Sequence, residues 1–309
     1  MIKFCLPIIA LGIVWAFIFT FSSPGDFPRK SLVTVSEGAS IGEVAALFAR
    51  ERLVRSPKAL EYLVRFKKDI VVAGDYFFSQ PANVFIVAAR LASGDYDLTP
   101  IKVTIPEGAT SHNIAVLLAR LIPDFDRESF TALAAEREGY LFPDTYYVQP
   151  TWQPERLIEL MTKQFRANIK LLDPLIASSG RTLEQVVIMA SILEREARTT
   201  ESRRLIAGIL WKRLDDGMPL QVDAVFPYIM DRNTFEVSRA DLATSSPYNT
   251  YRYRGLPIGP IANPGLDALT AALTPVESDY WFFLSDRSGA FHYAVDFEGH
   301  KRNKALYLP

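Results

Sequence analysis

From Val186 to Leu193 the chain reads Val-Val-Ile-Met-Ala-Ser-Ile-Leu, with no charge on any side. A helix that is apolar all round is not stable at a surface, so this stretch demands a core built around it by other elements. Upstream, Thr182 and Gln185 have the spacing of a capping box, which predicts a helix start there. Downstream, Glu194 and Glu196 close the apolar run. Ala190 and Ser191 lie one turn back from Glu194, and Ile192 and Leu193 one turn back from Glu196. A carboxyl group on such a face is desolvated, which raises its pKa and makes it a candidate proton donor near neutral pH. The plainer expectation is that both glutamates mark where the helix emerges into water, paired with Arg195 and Arg198. Periodicity does not separate Glu194 from Glu196.

The chain has 309 residues, 49% of them hydrophobic, enough for a membrane anchor and about two compact domains. Phe4 to Ser23 is an apolar stretch of about 20 residues, the length that crosses a bilayer as a helix. Phe17, Phe19 and Phe21 crowd its distal end and no small-x-small site follows, which favours a retained single-pass anchor over a cleaved signal peptide. Cys5, the only cysteine, lies within that stretch, so no intrachain disulfide forms. Net charge is −1 with no concentrated basic surface, which argues against a nucleic-acid partner.

After a Pro/Gly linker, Val33 to Ser40 (VTVSEGAS) is echoed by Val103 to Thr110 (VTIPEGAT). Ala45, Leu47, Ala49 and Arg50 recur as Ala115, Leu117, Ala119 and Arg120. Each copy reads as a strand, a Gly turn, a Ser/Thr cap and an amphipathic helix. Gly38-Ala39-Ser40-Ile41-Gly42 fits a nucleophile elbow, but the second copy has Thr110 and His112 at the matching places. Ser40 with Glu43 is better read as a capping box. The first copy also resembles the LysM glycan-binding module.

Glu138 to Tyr147 is an aromatic cluster broken by Pro143 and Asp144, read as a strand and turn or as a sugar-stacking wall. Helices are predicted over 154–172 and 201–214, and a closing hairpin over 280–295. Between them, Met218 to Asp223, Ser246 to Tyr251 and Gly255 to Gly265 are dense in Pro and Gly, as in ordered loops with a binding role. Asn249, Thr250 and Asn263 are suited to bond sugar hydroxyls or acetamides. His112, His292 and His300 lack ligand spacing, so no metal is expected, and no P-loop or dinucleotide fingerprint occurs, so no cofactor is expected. What remains is acid–base work by a carboxyl group, with glycosidic bond cleavage leading.

Met189 to Glu196 (MASILERE) resembles the signature of the endolytic murein transglycosylase family, MltG or YceG-like. The similarity extends through Glu138 to Tyr146, Lys212 to Leu214, Gly217 to Asp223, Ser246 to Tyr251 and Gly255 to Gly265, in the family order. The resemblance implies an α+β fold: an N-terminal transmembrane helix with linker over 1–25, a LysM-like module over 30–100 and a larger catalytic domain over 101–309. It implies an enzyme of the bacterial inner membrane, its body extracytoplasmic, that cuts nascent peptidoglycan strands between MurNAc and GlcNAc and leaves 1,6-anhydro ends. Peptidoglycan strands are the implied partner, with cell-wall synthases as further candidates. Motif register makes Glu194 the catalytic acid/base. It makes Glu196, Gln221, Asp223, Tyr248, Asn249, Thr250, Tyr251, Asn263, Tyr140 and Asp144 substrate contacts. The chain departs from the family pattern at Ala224, Ser202, Phe291 and Lys301, which bears on substrate contacts. The alternatives are an inactive glycan-binding scaffold and a hydrolase acting on the same bond.

Overall fold

Helices start where the sequence offers caps. Ser40, Thr110 and Thr182 each accept a hydrogen bond from the backbone three residues on, and the residue there reaches back to complete a capping box. Ser40 is thus a helix cap. A computed structural model of the chain describes residues 2–67, 70–122, 124–230 and 237–308, without the side chains of residues 2–10 and 239.

The chain divides into two compact units, Met1–Pro100 with Gln149–Thr151, and Ile101–Val148 with Trp152–Pro309. The first contains α1 (Ile2–Phe21), β1 (Ser31–Val35), α2 (Ile41–Arg50), α3 (Pro57–Lys67), β2 (Gly74–Phe78) and α4 (Val84–Ser93). Strands β1 and β2 pair antiparallel with Val33 opposite Tyr76. Their inner faces meet the helices around Phe48, Tyr76, Phe78, Leu60 and Leu91, all buried. Gly94 closes α4 in the left-handed region at φ 70°, where glycine carries no Cβ penalty.

The N-terminal segment corrects the expected fold class. Helix α1 is present, but among the described residues no helix is long and apolar enough to cross a membrane. The last turn of α1 is tied to the first unit: Phe21 stacks on Phe85 at 5.2 Å, and the Arg55 guanidinium lies 4.2 Å over Phe19. The fold is α+β, and the transmembrane helix and single-pass anchor are not part of it among the described residues; Cys5 lies outside the described side chains.

The second unit opens with β3 (Ile101–Thr104), α5 (Ser111–Leu121), α6 (Arg127–Ala135) and β4 (Thr145–Val148). Here β3 pairs antiparallel with β4, Val103 opposite Tyr146. The duplication therefore reaches past the repeat visible in sequence, to the second strand and its tyrosine. Tyr76 donates to the carbonyl of Val72 and Tyr146 to that of Phe142, each four residues back and each at 2.6 Å.

The remainder is mainly helical: α7 (Pro154–Ser179), α8 (Leu183–Glu196), α9 (Thr200–Asp215), α10 (Val225–Met230), α11 (Arg239–Leu242) and α12 (Leu266–Leu273). A hairpin of β5 (Phe282–Ser285) and β6 (Phe291–Ala294) precedes α13 (Phe297–Tyr307). Helix α7 runs past the predicted end at 172 to Ser179 and contains Pro174. Helix α8 is the centre of this unit, with every residue from Val186 to Leu193 buried. Small residues Ala268, Ala271 and Ala272 on α12 form part of the core around it.

Candidate active site

The apolar body of α8 fixes the place of its last turn. Ser191 donates to the carbonyl of Ile188 and accepts from the N–H of Ile261 at 3.1 Å, joining the Pro/Gly loop to the helix. Two residues apart on a helix are about 200° apart around its axis, so Glu194 and Glu196 face different neighbours.

Glu194 is locked. Its side chain is 4% exposed, with Arg203 on one oxygen and the N–H of Gly265 on the other at 2.9 Å. Arg203 also binds Asp267 and the carbonyl of Ala197, and Thr200 donates to Asp267 at 2.7 Å. Burial pushes the Glu194 carboxyl above its usual range, while the Gly265 N–H and Arg203 pull it back and Glu107 and Asp267 push it up. Burial works against the Asp267 charge as well, yet bonds from Thr200 and Arg203 hold its pKa below the usual value. Both groups on Glu194 are donors, so both favour its ionised form. The group ties the end of α8 to α9 and to the start of α12. The second repeat lies against it: Gly108, at φ 74°, would put a Cβ 3.3 Å from Glu194.

Glu196 is differently placed. One oxygen accepts the N–H of Ala224 at 3.2 Å, and the other has no hydrogen-bond partner among the described residues. Burial pushes its pKa up to about 7, the Ala224 N–H opposes this, and the Asp223 carboxylate adds to it. Asp223 accepts the Tyr251 hydroxyl at 2.6 Å, and burial and Asp223 together drive the Tyr251 pKa far above its usual value. Thr250 holds the opposite segment in place, its carbonyl accepting the N–H of Gln221 and its hydroxyl the N–H of Val222. Glu196, Asp223 and Tyr251 thus form one cluster, with exposed Gln221 at its edge. Ala224, a departure from the family pattern, contributes its backbone.

Other residues expected to touch substrate make contacts within the protein. Asn249 is fully buried, donating to the carbonyls of Leu242 and Thr244 and accepting from the N–H of Tyr251. Thr250 is equally enclosed. Asn263, also fully buried, donates to Ala109 and Glu138 and accepts from the N–H of Leu141. Asp144 accepts from Gln164 and from the N–H of Thr145, and the Tyr140 ring packs edge-on against Phe165 at 5.1 Å. Tyr248 is half-buried with its ring 5.0 Å from Tyr228. Phe291 packs against the core, and Lys301 pairs at the surface with Glu298.

Arg203 and Asp267 carry no signal in local sequence pattern, and Glu107 and Glu138 lie in the repeat and the aromatic stretch, neither of which points to their carboxyl groups. The buried Glu138 binds the N–H and hydroxyl of Ser111, and its partners lie far along the chain. Arg203 is legible only once α8 and α9 are placed side by side.

Comparison with known proteins agrees with this architecture. A crystal structure of a YceG-like protein from Listeria monocytogenes superposes with a TM-score of 0.60 at 27% identity, covering 89% of this chain and 99% of that one. An endolytic murein transglycosylase of Bacillus subtilis is 28% identical, over 89% of this chain and 84% of the relative. The protein of the same name from Streptococcus pneumoniae R6 is 29% identical over 98% of this chain, which spans 64% of that longer relative. The YceG-like family model matches residues 33–306, and the chain belongs to that family.

Proposed function

We propose that Glu196, rather than Glu194, carries the proton in the reaction of this enzyme, a lytic transglycosylase acting on peptidoglycan glycan strands. The activity class follows from relatives that share the fold over nearly the whole chain and are endolytic murein transglycosylases. The observation carrying the assignment is the contrast between the two carboxyl groups. Glu194 has both oxygens engaged by a guanidinium and an amide N–H, whereas Glu196 has one oxygen with no hydrogen-bond partner among the described residues and a pKa raised to about 7.

Protonated Glu196 donates to the glycosidic oxygen between MurNAc and GlcNAc, and the bond from that oxygen to C1 breaks. Asp223, held by the Tyr251 hydroxyl, faces the oxocarbenium-like charge that develops. The 6-hydroxyl of the same MurNAc then attacks C1 while the Glu196 carboxylate takes its proton. One C–O bond breaks, one forms, no water is consumed, and the acid is regenerated. An internal nucleophile reacts at high effective concentration, so no carboxylate nucleophile is required. Glu194, with Arg203 and Asp267, is a positioning group that holds the last turn of α8. Residues 30–100, within the first unit, serve as a LysM-like module that holds the strand, and 101–309 contains the chemistry. Such a substrate lies outside the cytoplasmic membrane, so the work is extracytoplasmic.

Mass spectrometry of digested glycan strands tests this reading. Anhydro-MurNAc ends are expected. Reducing MurNAc ends would mean that Asp223 or another base activates water, making the enzyme a hydrolase, and an unchanged strand would mean a binding scaffold.

A further inference from the structure

Beside the acid, one residue sits in a backbone conformation its type does not favour. Gln221 has φ 51°, in the left-handed region, where glycine is at ease and asparagine and aspartate are tolerated, but glutamine is unusual. Its neighbours force that conformation. The carbonyl of buried Leu220 accepts from Arg213 at 2.6 Å, and the N–H of buried Val222 donates to the Thr250 hydroxyl at 3.1 Å. The N–H of Gln221 itself donates to Thr250 at 3.2 Å. Glycine would suit this position, so the backbone does not explain the glutamine. The side chain is exposed and makes no hydrogen bond to the described residues. Three residues on, Ala224 donates to Glu196 at 3.2 Å, so at most about 10 Å of chain separates Gln221 from the residue that binds the acid. Strain of this kind is held by the surrounding bonds and clusters at functional sites.

A carboxamide offers an N–H donor and a carbonyl acceptor side by side, the complement of another secondary amide. Both sugars of a murein strand carry such a group at C2. We propose that Gln221 is a specificity-determining residue that pairs with the 2-acetamido group of a sugar next to the cleaved bond. This rests on the functional reading above. A hydrogen-bonded pair of this kind discriminates against a substrate lacking the partner, because the site's own groups are then left unmatched.

The test uses the full chain and two preparations of glycan strand, one intact and one chemically de-N-acetylated. The ratio of kcat/KM for the two is measured in the wild type, Gln221→Gly and Gln221→Ala. The wild type is expected to favour the intact strand by about tenfold, and both variants to bring the ratio close to one. Gln221→Gly should melt no lower than the wild type, since glycine fits the φ. The proposal is overturned if the wild type shows no preference or either variant retains it. It is also overturned if activity falls equally on both strands together with the melting temperature. If the wild type releases no anhydro ends, the functional reading is at fault. Calorimetric titration of wild type and Gln221→Gly with acetylated and de-N-acetylated chitotetraose then decides the Gln221 contact alone.

Discussion

At the residue scale, Glu194 and Glu196 share a helix end and differ in what reaches them. The Glu196 pKa of about 7 compares with an ordinary carboxyl value of 4.5. The folded chain therefore binds more protons than the unfolded chain between these values. Its stabilising effect is fully present below 4.5 and is lost as pH rises through about 7. Glu196→Gln should melt above the wild type at pH 8, by on the order of 2–3 kcal/mol, and close to it at pH 4. For catalysis the protonated form is the one required, so kcat/KM should fall tenfold per pH unit above about 7. A pH–rate profile flat to pH 9 would remove Glu196 from the acid role. Glu194→Gln has the opposite signature, leaving Arg203 short of a charge partner inside the protein and lowering stability by about 2 kcal/mol.

At the element scale, α9 carries a glycine inside the helix, where alanine is ordinarily better by about 1 kcal/mol. At Gly208 a Cβ would meet the backbone carbonyl of Val276 at 2.0 Å. Gly208→Ala should therefore destabilise, and a rise in melting temperature would show that the helix and the 276 segment are not packed this closely. Conversely, Thr182→Ala should cost about 1 kcal/mol through loss of the capping box alone. These elements differ in how far they could be read in advance. The caps of α2, α5 and α8 and the burial of α8 were legible, because spacing and hydrophobic pattern are local. The second half of the duplication was not, because β2 and β4 share little beyond Tyr76 and Tyr146. The division of roles between Glu194 and Glu196 was also hidden. It depends on Arg203, Gly265 and Ala224, which the pattern around the two glutamates does not contain. Asn249 and Asn263 look like ligand-binding amides in sequence, yet loops this rich in Pro and Gly need buried amides to satisfy their backbone.

For the whole molecule, the two units have separate hydrophobic cores. Phe48 is fully buried in the first and Leu193 in the second. Calorimetry should find that Phe48→Ala lowers the melting of one transition, at a cost of about 3–5 kcal/mol, and leaves the other in place. Leu193→Ala should lower the second and diminish turnover with it. A single transition shifted equally by both substitutions would mean that the units unfold as one.

The most direct test of the central claim is the yield of 1,6-anhydro-MurNAc ends from purified glycan strands at pH 6.5, compared for wild type, Glu196→Gln and Glu194→Gln. Glu196→Gln should lose at least about a hundredfold while melting no lower than the wild type, and Glu194→Gln should melt lower yet retain measurable product. Wild-type yield from Glu196→Gln, or a stable Glu194→Gln protein that is wholly silent, would contradict it and return the proton to Glu194.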